Sequence, residues 1–306
     1  MKKILNFSVF TTLFTLFSFV MPASADRIKV VASLPPIHSL VAGVMAGVGV
    51  PRLLVQDGQS PHTYFMKPSN ARMLNEAQVI FWVGPKIEGF LVKSLAALSQ
   101  ETSIVGLAKQ KDSVSNRLNY DNTLEKRAKR YHDHQDSHIW LDPRKAVVMV
   151  GAIADALSLV DTANADSYRK NEGLIVARLA LLEAELLETL RPVAGAPFLV
   201  FHDAYVHFQD RFGLASQGAV ALSIDRPPGA QRISFLRRRI LNSKIVCIFT
   251  EPQFTPAIAK TLIEGTSVRM GMLDPLGIGL DYGPSLYSVL LKRLANSFLN
   301  CLSASS

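Results

Sequence analysis

The sequence predicts an α/β protein with two lobes, each built on a mainly parallel sheet flanked by helices. Short apolar runs alternate with helical patterns in the first half of the chain, and this alternation is typical of parallel sheets. A long helical pattern then fills residues 161–191, and the alternation starts again after it. We expect this long helix to join the two lobes.

The first lobe is assigned to residues 26–160. Its predicted strands are residues 28–33, 50–55 and 79–83, and its predicted helices are residues 37–45, 71–77, 88–99 and 143–159. Residues 109–137 differ from the rest of the lobe, because they are highly charged and poor in apolar side chains. We expect this segment to be a mobile loop.

The linking helix is predicted from its apolar spacing. Leucine and isoleucine positions between Ile175 and Leu190 recur with the 3.6-residue period of a helix, and Pro192 ends the pattern. About 28 residues at 1.5 Å each span roughly 42 Å, which is more than one lobe needs. An ordinary long packing helix is the alternative that the sequence leaves open.

The second lobe is assigned to residues 192–306. Its predicted strands are residues 198–201, 217–223, 245–250 and 268–273, and its predicted helices are residues 204–212, 233–242, 255–264 and 286–302. The two lobes therefore repeat in architecture, although no repeat is visible in the residues themselves.

The first 25 residues have the pattern of a cleavable signal peptide. Lys2 and Lys3 precede an apolar run that extends to Met21, and the run is followed by Ala23-Ser24-Ala25. This pattern predicts export with cleavage after Ala25, and an uncleaved anchor helix is the alternative. Cleavage removes two lysines and no acidic residue, so the formal charge falls from +8 by two, to +6. The remaining basic runs lack interleaved aromatic residues, which argues against nucleic-acid binding.

The predicted export bears on the oxidation state of the two cysteines. Cys247 and Cys301 are 54 positions apart and would face an oxidising compartment. A disulfide across that loop would stabilise the fold by roughly 4 kcal/mol in the chain-entropy model. Two inert buried thiols are the alternative.

Three histidines occupy comparable places in the predicted topology. His62 follows a turn after a strand, His138 directly precedes a helix, and His202 ends a strand, as does Asp274. Ligands of α/β proteins bind at the carboxyl edge of the strands, and three imidazoles with a carboxylate suit tetrahedral Zn(II) better than Mn(II) or Mg(II). The set therefore offers a metal site with Asp274 as a fourth ligand as one hypothesis, and capping or core roles for the individual histidines are the alternative that the spacing leaves open.

The remaining histidines are less favoured as metal ligands. His38 and His207 are expected to be structural, and His132 and His134 in the charged loop would form at most a weak, fast-exchanging metal site. A zinc-dependent hydrolase is the rival hypothesis, with Asp203 or Glu251 as possible bases that no motif selects.

Five stretches of the sequence resemble one protein family. They begin at Asp57 (DGQSPHTYFMKPSNARMLNEAQVIFWVGP), His138 (HIWLDP), Val200 (VFHDAYVHFQDRFGL), Pro228 (PGAQRI) and Phe249 (FTEPQFTPAIAKTLIEGTSVRMGMLDPLG). The chain is similar to the ZnuA-type family, the periplasmic solute-binding proteins of high-affinity zinc-uptake ABC transporters. The similarity is weak only over residues 109–131.

This resemblance implies a structure and a function. Two α/β lobes joined by one rigid helix would hold Zn(II) in the cleft between them, with His62, His138 and His202 as ligands. A monomer would deliver the zinc to a permease in the cytoplasmic membrane, driven by its ATPase. The family's cysteine pair matches Cys247 and Cys301.

Two departures from the family pattern affect these implications. Pro61 stands where members often have a carboxylate that can reach the metal, so the fourth ligand stays open. The histidine-rich loop is reduced to two histidines. A zinc hydrolase, a Mn(II) carrier and a zinc-linked surface adhesin remain as alternatives.

Overall fold

The computed structural model describes residues 27–56, 58–109, 137–221, 228–242 and 244–303. The predicted signal peptide and nearly all of the predicted charged loop, including His132 and His134, lie outside the described residues.

The first lobe contains a four-stranded parallel sheet. Its strands are β1 (Val30–Ala32), β2 (Arg52–Leu53), β3 (Val79–Trp82) and β4 (Ser103–Gly106), in the order β2-β1-β3-β4. The central strand β1 is wholly apolar and buried, as expected for a parallel strand that is covered on both faces. The edge strand β4 was absent from the prediction.

The second lobe repeats this arrangement. Its strands are β5 (Phe198–Val200), β6 (Ser216–Ala219), β7 (Cys247–Thr250) and β8 (Arg269–Met272), in the order β6-β5-β7-β8. All three pairings are parallel. The predicted fold class, two α/β lobes with parallel sheets, is confirmed.

Helices cover both sheets and connect them. They are α1 (Pro35–Val44), α2 (Pro68–Asn75), α3 (Val92–Ala96), α4 (Pro143–Val160), α5 (Ala165–Leu190), α6 (Val206–Phe212), α7 (Ala230–Asn242), α8 (Ala257–Ile263) and α9 (Leu286–Leu302). The linking helix α5 has 26 residues and is therefore about 39 Å long. The domain boundaries at residues 160 and 191 stay predictions.

One hydrophobic core runs from the first sheet to the second. It includes Phe81 of β3, residues of α1, α4, α5 and α9, and Phe198 of β5. Single hydrogen bonds also cross between the lobes: the Tyr287 hydroxyl donates to the Trp140 carbonyl at 2.7 Å, and the Tyr287 amide donates to the Ser39 hydroxyl at 3.0 Å. The lobes are thus packed through several helices, and α5 is only one of the connections.

The predicted disulfide is present. Cys247 in β7 is bonded to Cys301 in α9, with Cα atoms 6.0 Å apart. The bond fastens the last helix to the second sheet, where Phe298 packs against Phe249. Within the described part of the chain, every helix is too short or too polar to cross a membrane.

Candidate metal centre

Three imidazoles converge between the lobes. One ring nitrogen from each of His62, His138 and His202 lies within 4.8 Å of the other two, and the Nε2 atoms of His62 and His138 are 3.3 Å apart. His138 and His202 are buried, whereas His62 is half-buried. The structure therefore brings together the three histidines that the sequence singled out.

His62 lies in the loop between β2 and α2. The end of that loop is fixed by Asn70, whose side-chain oxygen accepts from the Tyr64 hydroxyl and from the Lys67 amide, both at 2.9 Å. The Tyr64 ring also packs against Phe90 at 4.8 Å. These contacts hold the loop against the first lobe and leave its histidine at the lobe interface.

His138 is placed by the turn that starts α4. It precedes a short 3-10 turn, Ile139–Leu141, and Asp142 then caps the helix by accepting the Arg144 amide at 2.8 Å. In the same turn, the buried Trp140 donates its indole N–H to the Pro275 carbonyl of the second lobe at 2.8 Å. The His138 turn is therefore anchored to both lobes.

His202 follows the central strand of the second sheet. Its Nδ1 lies 2.5 Å from an oxygen of Glu251, which follows the neighbouring strand β7. Its Nε2 is buried and has no hydrogen-bond partner among the described residues. A buried, unpaired nitrogen is costly unless a ligand engages it, so Nε2 is the atom of His202 that is available to a ligand.

A buried ionic network ties the His138 turn to the His202 side of the cleft. Arg211 of α6 donates two hydrogen bonds to the Asp142 carboxylate, both at 2.9 Å. Arg144 pairs with Glu183 of α5 at 2.8 Å, and Glu183 lies 3.9 Å from Arg211. Because these side chains lie at the start of α4 and within α4, α5 and α6, the network fixes the relative positions of the helices that begin shortly after His138 and His202.

Asp274 lies in the loop that follows β8. Its carboxylate accepts backbone N–H bonds from Leu276 at 2.9 Å, Gly277 at 3.1 Å and Ile278 at 2.5 Å, and it is not part of the histidine group. The side chain organises the loop after β8. Its role as a metal ligand stays an untested prediction.

The two histidines expected to be structural also lie outside the group. His38 is buried in α1 and faces the Pro51 carbonyl through Nε2 at 3.0 Å, and burial lowers its pKa. His207 is half-buried on α6 and is absent from the group of potential ligands.

The space between the three imidazoles fits a single small ion. The cavity that the three rings line together with other side chains, among them Glu251 and Gln253, has a volume of about 10 Å³, roughly that of one water-sized sphere. Tetrahedral zinc with bonds of about 2.0–2.1 Å needs ligand nitrogens about 3.3 Å apart. The His62–His138 separation of 3.3 Å matches this spacing, and the His202 nitrogen lies within 4.8 Å of the other two.

Two side chains beside the histidines were not selected from the sequence. The sequence suggests Glu251 only as a possible hydrolytic base, and it gives no reason to select Gln253. Both line the same space, and the Gln253 side-chain oxygen is buried without a partner among the described residues. Burial, with the nearby charges of Glu251 and Asp274, raises the pKa of Tyr205 well above its ordinary value, so the hydroxyl stays protonated.

The chain is similar to one protein family over most of its length. Residues 30–301 match the family model described as "ZnuA: Zinc-uptake complex component A periplasmic". The high-affinity zinc uptake system protein ZnuA of Brucella suis is 37% identical over 316 residues, covering 92% of this chain and 93% of that protein. The protein of the same name from Yersinia pestis is 35% identical over 302 residues, covering 92% and 93%.

A solved structure shares the fold. The zinc-bound structure of a ZnuA deletion mutant lacking residues 138–173 in its own numbering superposes with a TM-score of 0.75 and 23% identity, covering 92% of this chain and all of that one.

Proposed function

The chain belongs to the periplasmic zinc-uptake component A family, and from this premise we propose that it captures Zn(II) between its lobes and delivers it to an ABC-type permease for import. The family model covers nearly the whole described chain, and the Brucella suis relative is named for high-affinity zinc uptake. The family is one of solute-binding transport proteins.

The observation that carries this proposal is the convergence of three imidazoles from both lobes. His62 and His138 come from the first lobe and His202 from the second, and their nitrogens surround a space for one ion. A ligand set divided between two lobes couples metal capture to the relative position of the lobes. A permease can therefore recognise the metal-loaded protein by the relative position of its lobes.

The donor set favours zinc over manganese. Imidazole nitrogen suits Zn(II), whereas Mn(II) and Mg(II) prefer oxygen ligands. The two nearest carboxylates are engaged elsewhere, Glu251 by His202 and Asp274 by backbone amides. Water is the simplest fourth ligand, since Pro61 offers no side-chain donor.

The same contacts argue against a zinc hydrolase. A catalytic zinc site needs a general base beside the metal-bound water. Glu251, the candidate base closest to the histidines, already accepts from His202. Turnover of an ester or phosphate substrate by the zinc-loaded protein would support the hydrolase and contradict this argument.

The fold supports small lobe movements. The continuous core and the buried Arg211–Asp142 pair connect the lobes close to the site. We expect zinc to shift His202 and its neighbours by small distances, without wide opening of the cleft. Solution scattering with and without zinc tests this expectation, and a large change in the radius of gyration would contradict it.

The direct test of the proposed function is a zinc titration of the mature protein. His62→Ala, His138→Ala and His202→Ala should each weaken binding by more than about 100-fold, the upper range for loss of an outer partner of a metal ligand. His207→Ala is the matched control, because His207 lies outside the group, and it should bind as the unmodified protein does. Unchanged affinity in the first three variants would refute the site.

A further inference from the structure

Two buried side chains form a pair at the edge of the second sheet. His202 and Glu251 are 7% and 3% exposed, and Nδ1 of the imidazole lies 2.5 Å from the carboxylate. When the carboxylate is ionised it can only accept hydrogen bonds, and Nδ1 then carries the proton of this contact. In the neutral ring the lone pair is then on Nε2, the atom that has no partner among the described residues.

The backbone builds this pair. Strands β5 and β7 are parallel neighbours with Val200 opposite Phe249. His202 and Glu251 each lie two residues beyond that matched position, at the carboxyl edge of the sheet. Their approach is therefore set by strand register and does not depend on a mobile loop.

We propose that Glu251 is a positioning residue for zinc capture, which holds His202 in the Nδ1–H tautomer so that the Nε2 lone pair already faces the cleft before the metal arrives. This inference deepens the proposed zinc site and rests on it. The hydrogen bond made by one ring nitrogen decides which nitrogen binds the metal. Glu251 also fixes the plane of the ring, whose centroid lies 5.2 Å from that of His138 and 5.9 Å from that of His62.

The first test is an isosteric substitution. In Glu251→Gln, the amide can donate to Nδ1 and so favour the tautomer with the proton on Nε2. We expect zinc binding about 10–100-fold weaker, the range measured when outer partners of ligating histidines are removed. Glu264→Gln is the matched control, because it removes the same charge from an exposed site in the same lobe.

A spectroscopic signature separates positioning from general damage. Co(II) in place of zinc reports the ligand geometry through its visible absorption, and the Glu251→Gln spectrum should differ from that of the unmodified protein. The spectrum of the Glu264→Gln control should not differ. Equal affinity and an equal cobalt spectrum in the unmodified protein and Glu251→Gln would overturn the inference.

The second test needs neither a variant nor a metal. Long-range ¹H–¹⁵N NMR on the metal-free protein at pH 8 identifies which ring nitrogen of His202 carries the proton. We expect Nδ1–H, and an Nε2–H ring would overturn the inference even if Glu251→Gln failed to fold. If the unmodified protein bound no zinc, the proposed function would fail while the tautomer remained measurable. If zinc bound normally and the tautomer were Nε2–H, only this inference would fail.

Discussion

Glu88 provides a quantitative prediction about stability. Its side chain is fully buried at the carboxyl edge of the first sheet, where one carboxyl oxygen accepts from the Val83 amide at 2.7 Å and the Gly84 amide at 2.9 Å. The Ser33 hydroxyl lies beside the carboxyl group and also favours its ionised form. Desolvation outweighs the hydrogen bonds and raises the pKa of Glu88 from 4.5 to about 7.

The sign of the pH effect follows from this shift. The unfolded chain releases the Glu88 proton above pH 4.5, whereas the folded protein keeps it until about pH 7. The folded state therefore binds more protons within this window, and the free energy of unfolding falls as the pH rises through it. One pKa unit corresponds to about 1.4 kcal/mol, so the total loss by pH 8 is about 3 kcal/mol.

Glu88→Gln removes this dependence, because an amide does not titrate and its oxygen can still accept both backbone N–H bonds. Denaturant unfolding of the metal-free protein at pH 5 and pH 8 measures how the free energy of unfolding depends on pH. Relative to the unmodified protein, the variant should gain about 2.5 kcal/mol between pH 5 and pH 8, because a small part of the total is already lost at pH 5. The exposed Glu101→Gln is the control and should gain nothing. Parallel stability profiles for the unmodified protein and Glu88→Gln would refute the reasoning.

Three further substitutions test the framework around the site, each by denaturant unfolding. Cys247→Ser opens the disulfide and should cost roughly 4 kcal/mol; a loss under 1 kcal/mol would contradict the chain-entropy estimate. Arg211→Met removes the charged partner of the Asp142 carboxylate, which caps α4, and should lower the free energy of unfolding by about 3 kcal/mol. Zinc binding should also weaken. Unchanged stability and unchanged zinc affinity would contradict a role of Arg211 in holding the site together. A Cβ at Gly271 would lie 2.7 Å from the ring of Phe249, so Gly271→Ala should cost about 1–3 kcal/mol, whereas Gly195→Ala, with no atom within 4 Å, should not.

Much of the fold follows from local patterns. The alternation of apolar runs and helical spacing predicted both parallel sheets, and the 3.6-residue period predicted most of α5. Strand β4 was missed because its four residues, Ser103–Gly106, contain only two β-branched apolar side chains between a serine and a glycine. Its place as the edge strand comes from pairing with β3, which no local signal encodes.

The site was partly predictable for a topological reason. His62, His138 and His202 each stand at an element end, and the parallel topology of each sheet gathers the strand ends at its carboxyl edge. Glu251 could not be selected, since its contact with His202 depends on β5 and β7 being neighbours in the sheet. Asp274 looked equivalent in sequence, but the backbone amides of its own loop engage its carboxylate.

The most direct test of the central claim is a crystal structure of the zinc-loaded mature protein with anomalous diffraction at the zinc edge. We expect one strong zinc peak between the lobes, bonded to a nitrogen of each of His62, His138 and His202 at about 2.0–2.1 Å. A zinc ion held elsewhere, or a cleft ion that omits any one of these histidines, would contradict it.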